Sequence, residues 1–115
     1  MNYGAALDRV VQTLRDAGLT ATRDAGAFYP APRGVLVGMP EVARTGLAHR
    51  TLLVPVHVVT ADPVTPRVLD ALLADAETAA KALGVATFTP RLWDGGPNTE
   101  PLPSYLIEST LTISE

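Results

Sequence analysis

Cysteine is absent from the 115-residue chain. That excludes a disulfide framework, a thiolate zinc or iron–sulfur centre and a cysteine nucleophile. Aromatics are few, with 2 Phe, 3 Tyr and 1 Trp, so the core has to be built from Leu, Val, Ile and Ala. Charge is sparse: charged residues make up 18% and the net charge is −3. An acidic chain lacks the broad basic face with which nucleic-acid binders grip phosphates. No run approaches the roughly 18 apolar residues of a membrane-spanning helix, so no membrane partner is expected. The stretch from Met1 to Arg9 lacks the basic start and apolar run of a signal peptide.

What is present is mostly apolar. Hydrophobic residues reach 47% and mean hydropathy is +0.19. The length fits one domain, 1–115, and a domain of this size buries roughly two-thirds of its unfolded surface. An apolar surplus on so small a body points to cover by a partner.

Leu7, Val10, Val11 and Leu14 recur at helical spacing, capped by Asn2 or Asp8 and stopped by Gly18, with Leu19 folding back. Residues 19–23 read as a short strand, 24–33 as a Gly- and Pro-punctuated loop, and 34–39 as a buried strand ended by Pro40. Residues 41–49 read as a polar connection. The strand that follows, 50–60, places Leu52, Val54, Val56 and Val58 on one face. Its other face, Thr51, Leu53, Pro55, His57 and Val59, is also mostly apolar. Pro55 brings no N–H to a ladder, so this strand should lie at an edge or bear a bulge. A doubly apolar edge strand needs cover.

Thr65-Pro66 and Asp62-Pro63 each offer a cap followed by Pro for a second helix over 66–83, ended by Gly84. A Pro-interrupted strand at 86–93, a turn-rich loop at 94–103 and a final alternating strand complete the chain. In that last strand Tyr105, Ile107, Leu111 and Ile113 oppose Glu108, Thr110 and Thr112. The element order α-β-β-β-α-β-β predicts an α+β fold: a small antiparallel or mixed sheet of four to five strands with two helices packed on one face.

No chemistry-bearing motif stands out, and neither catalytic, cofactor-binding nor metal-binding residues are expected. Gly34 and Gly38 flank an apolar run without the Lys-Ser/Thr of a phosphate loop. His49 and His57 lack companion ligands at metal spacing. Asp70, Asp75 and Glu77 read as a solvated helix face, the serines lack a nucleophile elbow, and the arginines are scattered. Trp93 reads as an interface anchor or as a cap on the sheet.

The succession itself carries a likeness. A short helix ending Ala17-Gly18-Leu19 precedes the strand from Pro32 to Pro40. Then come Arg50 to Val59 with Ala61-Asp62-Pro63, the Leu/Ala helix around Val68 to Leu73, and Leu102 to Ile107. Over nearly its full length this resembles the tail terminator proteins of siphophages that infect actinobacteria, often catalogued as minor tail or neck proteins. The resemblance implies a structural, non-enzymatic role. Such proteins form a hexameric ring on the head-proximal end of the tail tube, stop its polymerisation and offer a surface to head-completion proteins. They are similar in fold, a small sheet with helices on one side, joined edge to edge. The implied partners are further copies of the chain, the tail tube protein and a head-completion or connector protein. The net charge of −3 leads to the expectation that DNA passes through the lumen of such a ring without specific binding. The implied location is the virion tail at the head–tail junction, with the host cytoplasm during assembly. Leu53, Pro55, His57 and Val59, with Arg44 and Trp93, are the candidate subunit-contact residues. Two alternatives stay open: another neck or tail-completion protein, and a small-molecule-binding α/β domain.

Overall fold

The clearest local signals lie around the second helix. The Thr65 hydroxyl accepts the Val68 N–H at 3.2 Å, and Pro66 occupies a first-turn position that needs no donor. Gly84, at φ 69°, takes the left-handed turn that returns the Val85 N–H to the Ala80 carbonyl at 2.8 Å. The computed structural model, which describes residues 2–95 and 100–114, accordingly has helix α2 at Pro66–Leu83. Helix α1, Tyr3–Asp16, starts at Asn2, whose side chain accepts the Ala5 N–H at 2.9 Å. It closes with Leu19 donating to Leu14 at 3.1 Å.

The described residues form six strands in one sheet: β1 (Ala21–Thr22), β2 (Arg33–Val37), β3 (Glu41–Arg44), β4 (His49–Thr60), β5 (Thr89–Trp93) and β6 (Leu102–Ser114). Their order is β1-β2-β4-β6-β5, with β3 also paired to β4. Only β1 and β2 run parallel. The fold is α+β, with a mixed sheet and both helices on one face, as expected. The sheet is larger than the four or five strands expected. The added strand is β3, which falls in the segment read as a polar connection. All four of its residues are exposed, so no burial pattern announces it, and its pairing is fixed only by β4.

The core lies between the helices and one sheet face. Val35 and Val37 of β2, Leu52, Val54, Val56 and Val58 of β4, and Ile107 and Ile113 of β6 meet Val10, Val11 and Leu14 of α1. From α2 they receive Leu72, Ala76, Ala79 and Ala80; its small side chains let the helix approach the sheet closely.

Pro55 is not at an edge. β4 is central, flanked by β6 along nearly its whole length and by β2 and β3, end to end, on its other side. Nor does β4 itself bear the bulge expected as the alternative; the extra residue lies opposite it, between β2 and β3. Val37 pairs with Val56 but Glu41 pairs with Leu53, so the three residues 38–40 oppose the two residues Val54 and Pro55. Gly38 donates to the Pro55 carbonyl at 2.8 Å. In an antiparallel ladder one residue's N–H and C=O point to the same side. The missing Pro55 donor therefore falls where the ladder is already interrupted, and the β4–β6 ladder continues unbroken.

Candidate subunit interface

The sheet face opposite the helices holds most of the candidate contact residues. Leu53, Pro55 and His57 stand in a row on β4, each half-buried. Beside them Met39, 90% exposed, and Glu41 and Glu108 line a hollow of about 190 Å³ floored by Leu53 and Pro55. This is an apolar surface with an acidic rim.

Val59, at the end of that row, is corrected by the structure. It is fully buried, because the loop after β1 folds over this end of the face. Gly34 pairs with Val59, and a Cβ on Gly34 would come within 2.9 Å of the Phe28 ring. Phe28 in turn meets Trp93 edge to face, with ring centroids 5.2 Å apart. Val59 thus belongs to the chain's own packing. Trp93 is half-buried, with part of its ring packed on Phe28 and part open. Arg44 lies elsewhere, exposed on β3. The loop read as 94–103 lies partly outside the described residues, and β6 already begins at Leu102.

His57 pairs across the sheet with Leu36 on one side and Leu106 on the other, both buried. Its Nδ1 is buried without a hydrogen-bond partner. Burial first, and the Arg91 guanidinium second, lower its pKa below the ordinary 6.5.

Sequence reasoning did not find the edges of the sheet's far end. There β3, the first half of β4 and the second half of β6 form a three-stranded arm on a molecule 48 Å long. Its hairpin tip carries Leu47, 95% exposed, and is braced by Arg50 donating to the Gly46 and His49 carbonyls at 3.0 and 2.8 Å. β5 pairs with β6 only between Leu102 and Leu106. Among the described residues no strand pairs with the outer edge of β6 beyond Leu106, or with the outer edge of β3. Because the Pro55 peptide groups face Gly38, those of Val54 and Val56 face β6. Alternation then directs the groups of Ile107, Ser109 and Leu111 toward β4 and those of Glu108, Thr110 and Thr112 outward. On β3 the same reasoning directs Val42 and Arg44 outward. The signal for β6 was available as an alternating strand much longer than its neighbour; which stretch lacks a partner depends on the fold.

The other depressions offer little converging polarity. An apolar groove of about 370 Å³ between α2 and β5 is lined by Val64, Leu69, Pro90 and Leu92. At its margin the Ser104 hydroxyl is already donated to the Arg91 carbonyl. In a third cleft Arg33 and Asp75 are bound to each other at 2.6 Å. Among the described residues no three His, Asp or Glu side chains gather as a metal site would require.

Comparison with protein-family models, with curated proteins and with solved structures gave no match to this chain.

Proposed function

We propose that this chain is a structural ring subunit, the tail terminator of a siphophage. In this reading its copies close into a hexamer on the head-proximal end of the tail tube, halt tube growth and present a surface to a head-completion protein. The protein would act in the virion tail after assembly in the host cytoplasm, without catalysis.

The observation that carries the reading is that, among the described residues, two edges on opposite sides of one arm, those of β3 and of the second half of β6, have no strand paired to them. Exposed edges invite strand addition, and natural monomers blunt or cover them. Two different edges on opposite sides make a heterologous contact, which closes into a ring when the rotation between copies permits. The half-buried row Leu53, Pro55 and His57, with exposed Met39 beside it, supplies apolar area for the tube or a neighbour. The net charge of −3 suits a lumen that DNA crosses without adhering, since it offers few phosphate partners.

The test is tube assembly. Tail tube protein polymerised with this chain should give short tubes carrying a ring at one end in electron micrographs. Tube lengths unchanged by the chain, with bare ends, would reject the reading.

A further inference from the structure

We propose that the outer edge of β3 in one copy of this chain adds, as a parallel strand, to the outer edge of β6 beyond Leu106 in the next copy. This rests on the ring reading and specifies its joint.

The direction follows from the topology. β3 is antiparallel to β4 and β4 is antiparallel to β6, so β3 and β6 run the same way. A neighbour related by ring rotation keeps both strand direction and helix side, and it presents β3 parallel to β6. The incoming strand would continue the line of β5 along β6, as β3 continues the line of β2 along β4.

The side chains fit this sense. In a parallel pair, a residue whose peptide groups point across the joint lies beside one whose groups point back into its own sheet, and both side chains share a face. Val42 and Arg44 point outward and lie opposite Leu52 and Arg50, on the helix side. Val42 therefore comes beside Leu111 and Arg44 beside Ile113, both of which bond back to β4 and also face the helices, a register that keeps Glu41 away from Glu108. Antiparallel addition of the same edges would put the neighbour's helices on the opposite side of the sheet, which no ring of equivalent copies allows.

A second observation lies on the helix side of that edge. A cleft of about 350 Å³ is lined by α1, α2 and β6, with Val10, Leu83, Leu111 and Ile113 beside the polar Arg9 and Thr13, and with no residue from β4. The added strand would deliver Val42, 43% exposed in the single chain, and the Arg44 stem into this cleft. The occupant is thus a second copy of the chain, recognised by backbone hydrogen bonds and one apolar knob.

Proline substitution separates the joint from the fold. Val42→Pro and Thr112→Pro each delete an outward N–H and leave the chain's own ladders intact, whereas Val42→Thr and Thr112→Val keep the donor. In light scattering, alone or on tube ends, the two proline variants should remain single copies while the other two assemble. Amide exchange on the unaltered protein gives a second measurement that needs no variant. On assembly the amides of Val42, Arg44 and Thr112 should slow by about tenfold or more. Rings that form despite the prolines, or outward amides that stay fast in the assembled protein, overturn the inference and leave the ring reading standing. An unaltered chain that stays single both alone and at tube ends overturns both.

Discussion

Gly38 and Pro55 face each other across the bulge, the Gly38 N–H donating to the Pro55 carbonyl at 2.8 Å. A Cβ on Gly38 would sit 3.1 Å from Pro55 Cγ and 3.3 Å from His57 Nε2. Gly38→Ala should therefore lower stability by roughly 1–3 kcal/mol, the usual range for overpacking. The neighbouring strand gives a contrast. Val54→Pro removes a donor directed at β6 and leaves a buried carbonyl unpaired, and should cost about 1–3 kcal/mol, while Pro55→Val should change stability by well under about 1 kcal/mol. Urea unfolding midpoints of the three variants check the order. Equal losses at positions 54 and 55 would refute the assignment of which groups face the bulge.

The same strand shows how far the sequence could be read. Helix α2 was legible to its ends because Thr65-Pro66 and Gly84 are local signals whose physics needs no tertiary partner. The alternation in β4 assigned its two faces correctly, but Pro55 sits neither at an edge nor in a bulge of its own strand; it is tolerated because the opposing chain is bulged at 38–40. Glu41 to Arg44 bury nothing, so only their pairing with β4 makes them a strand. Val59 was placed on the correct face and given the wrong environment: Phe28, distant in sequence, packs over Gly34, the residue paired with Val59. The half-buried row at Leu53, Pro55 and His57 was foreseen; the unpaired edge of β6 was not, since the lack of a neighbour is a property of the whole sheet.

The Phe28–Trp93 contact closes one end of the open face. Trp93→Ala should cost about 1–3 kcal/mol, combining partial burial with the aromatic pair. Phe28→Ala should shift the emission of the sole tryptophan to longer wavelength as its ring gains water. Fluorescence and thermal unfolding test both. An unshifted spectrum in Phe28→Ala would mean that Phe28 does not shield Trp93.

His57 gives the fold a pH dependence of defined sign. Its folded pKa lies below the ordinary 6.5 through burial first and Arg91 second. The unfolded chain therefore binds the proton more readily. The His57 contribution is neutral well above pH 6.5 and becomes a loss as pH falls through that value. The loss levels off below the folded pKa, with a slope of at most about 1.4 kcal/mol per pH unit for one proton. His57→Gln should remove this component. Stability curves of the two proteins between about pH 8 and 5 should diverge on the acid side; parallel curves would show that His57 is not the source.

The ring claim is tested most directly by the mass of the assembled protein in solution. Light scattering behind size-exclusion chromatography should give about 73 kDa, six copies of the 12.1 kDa chain. A closed dimer near about 24 kDa, its mass unchanged on dilution and in the presence of tail tubes, would contradict a ring built from two different edges.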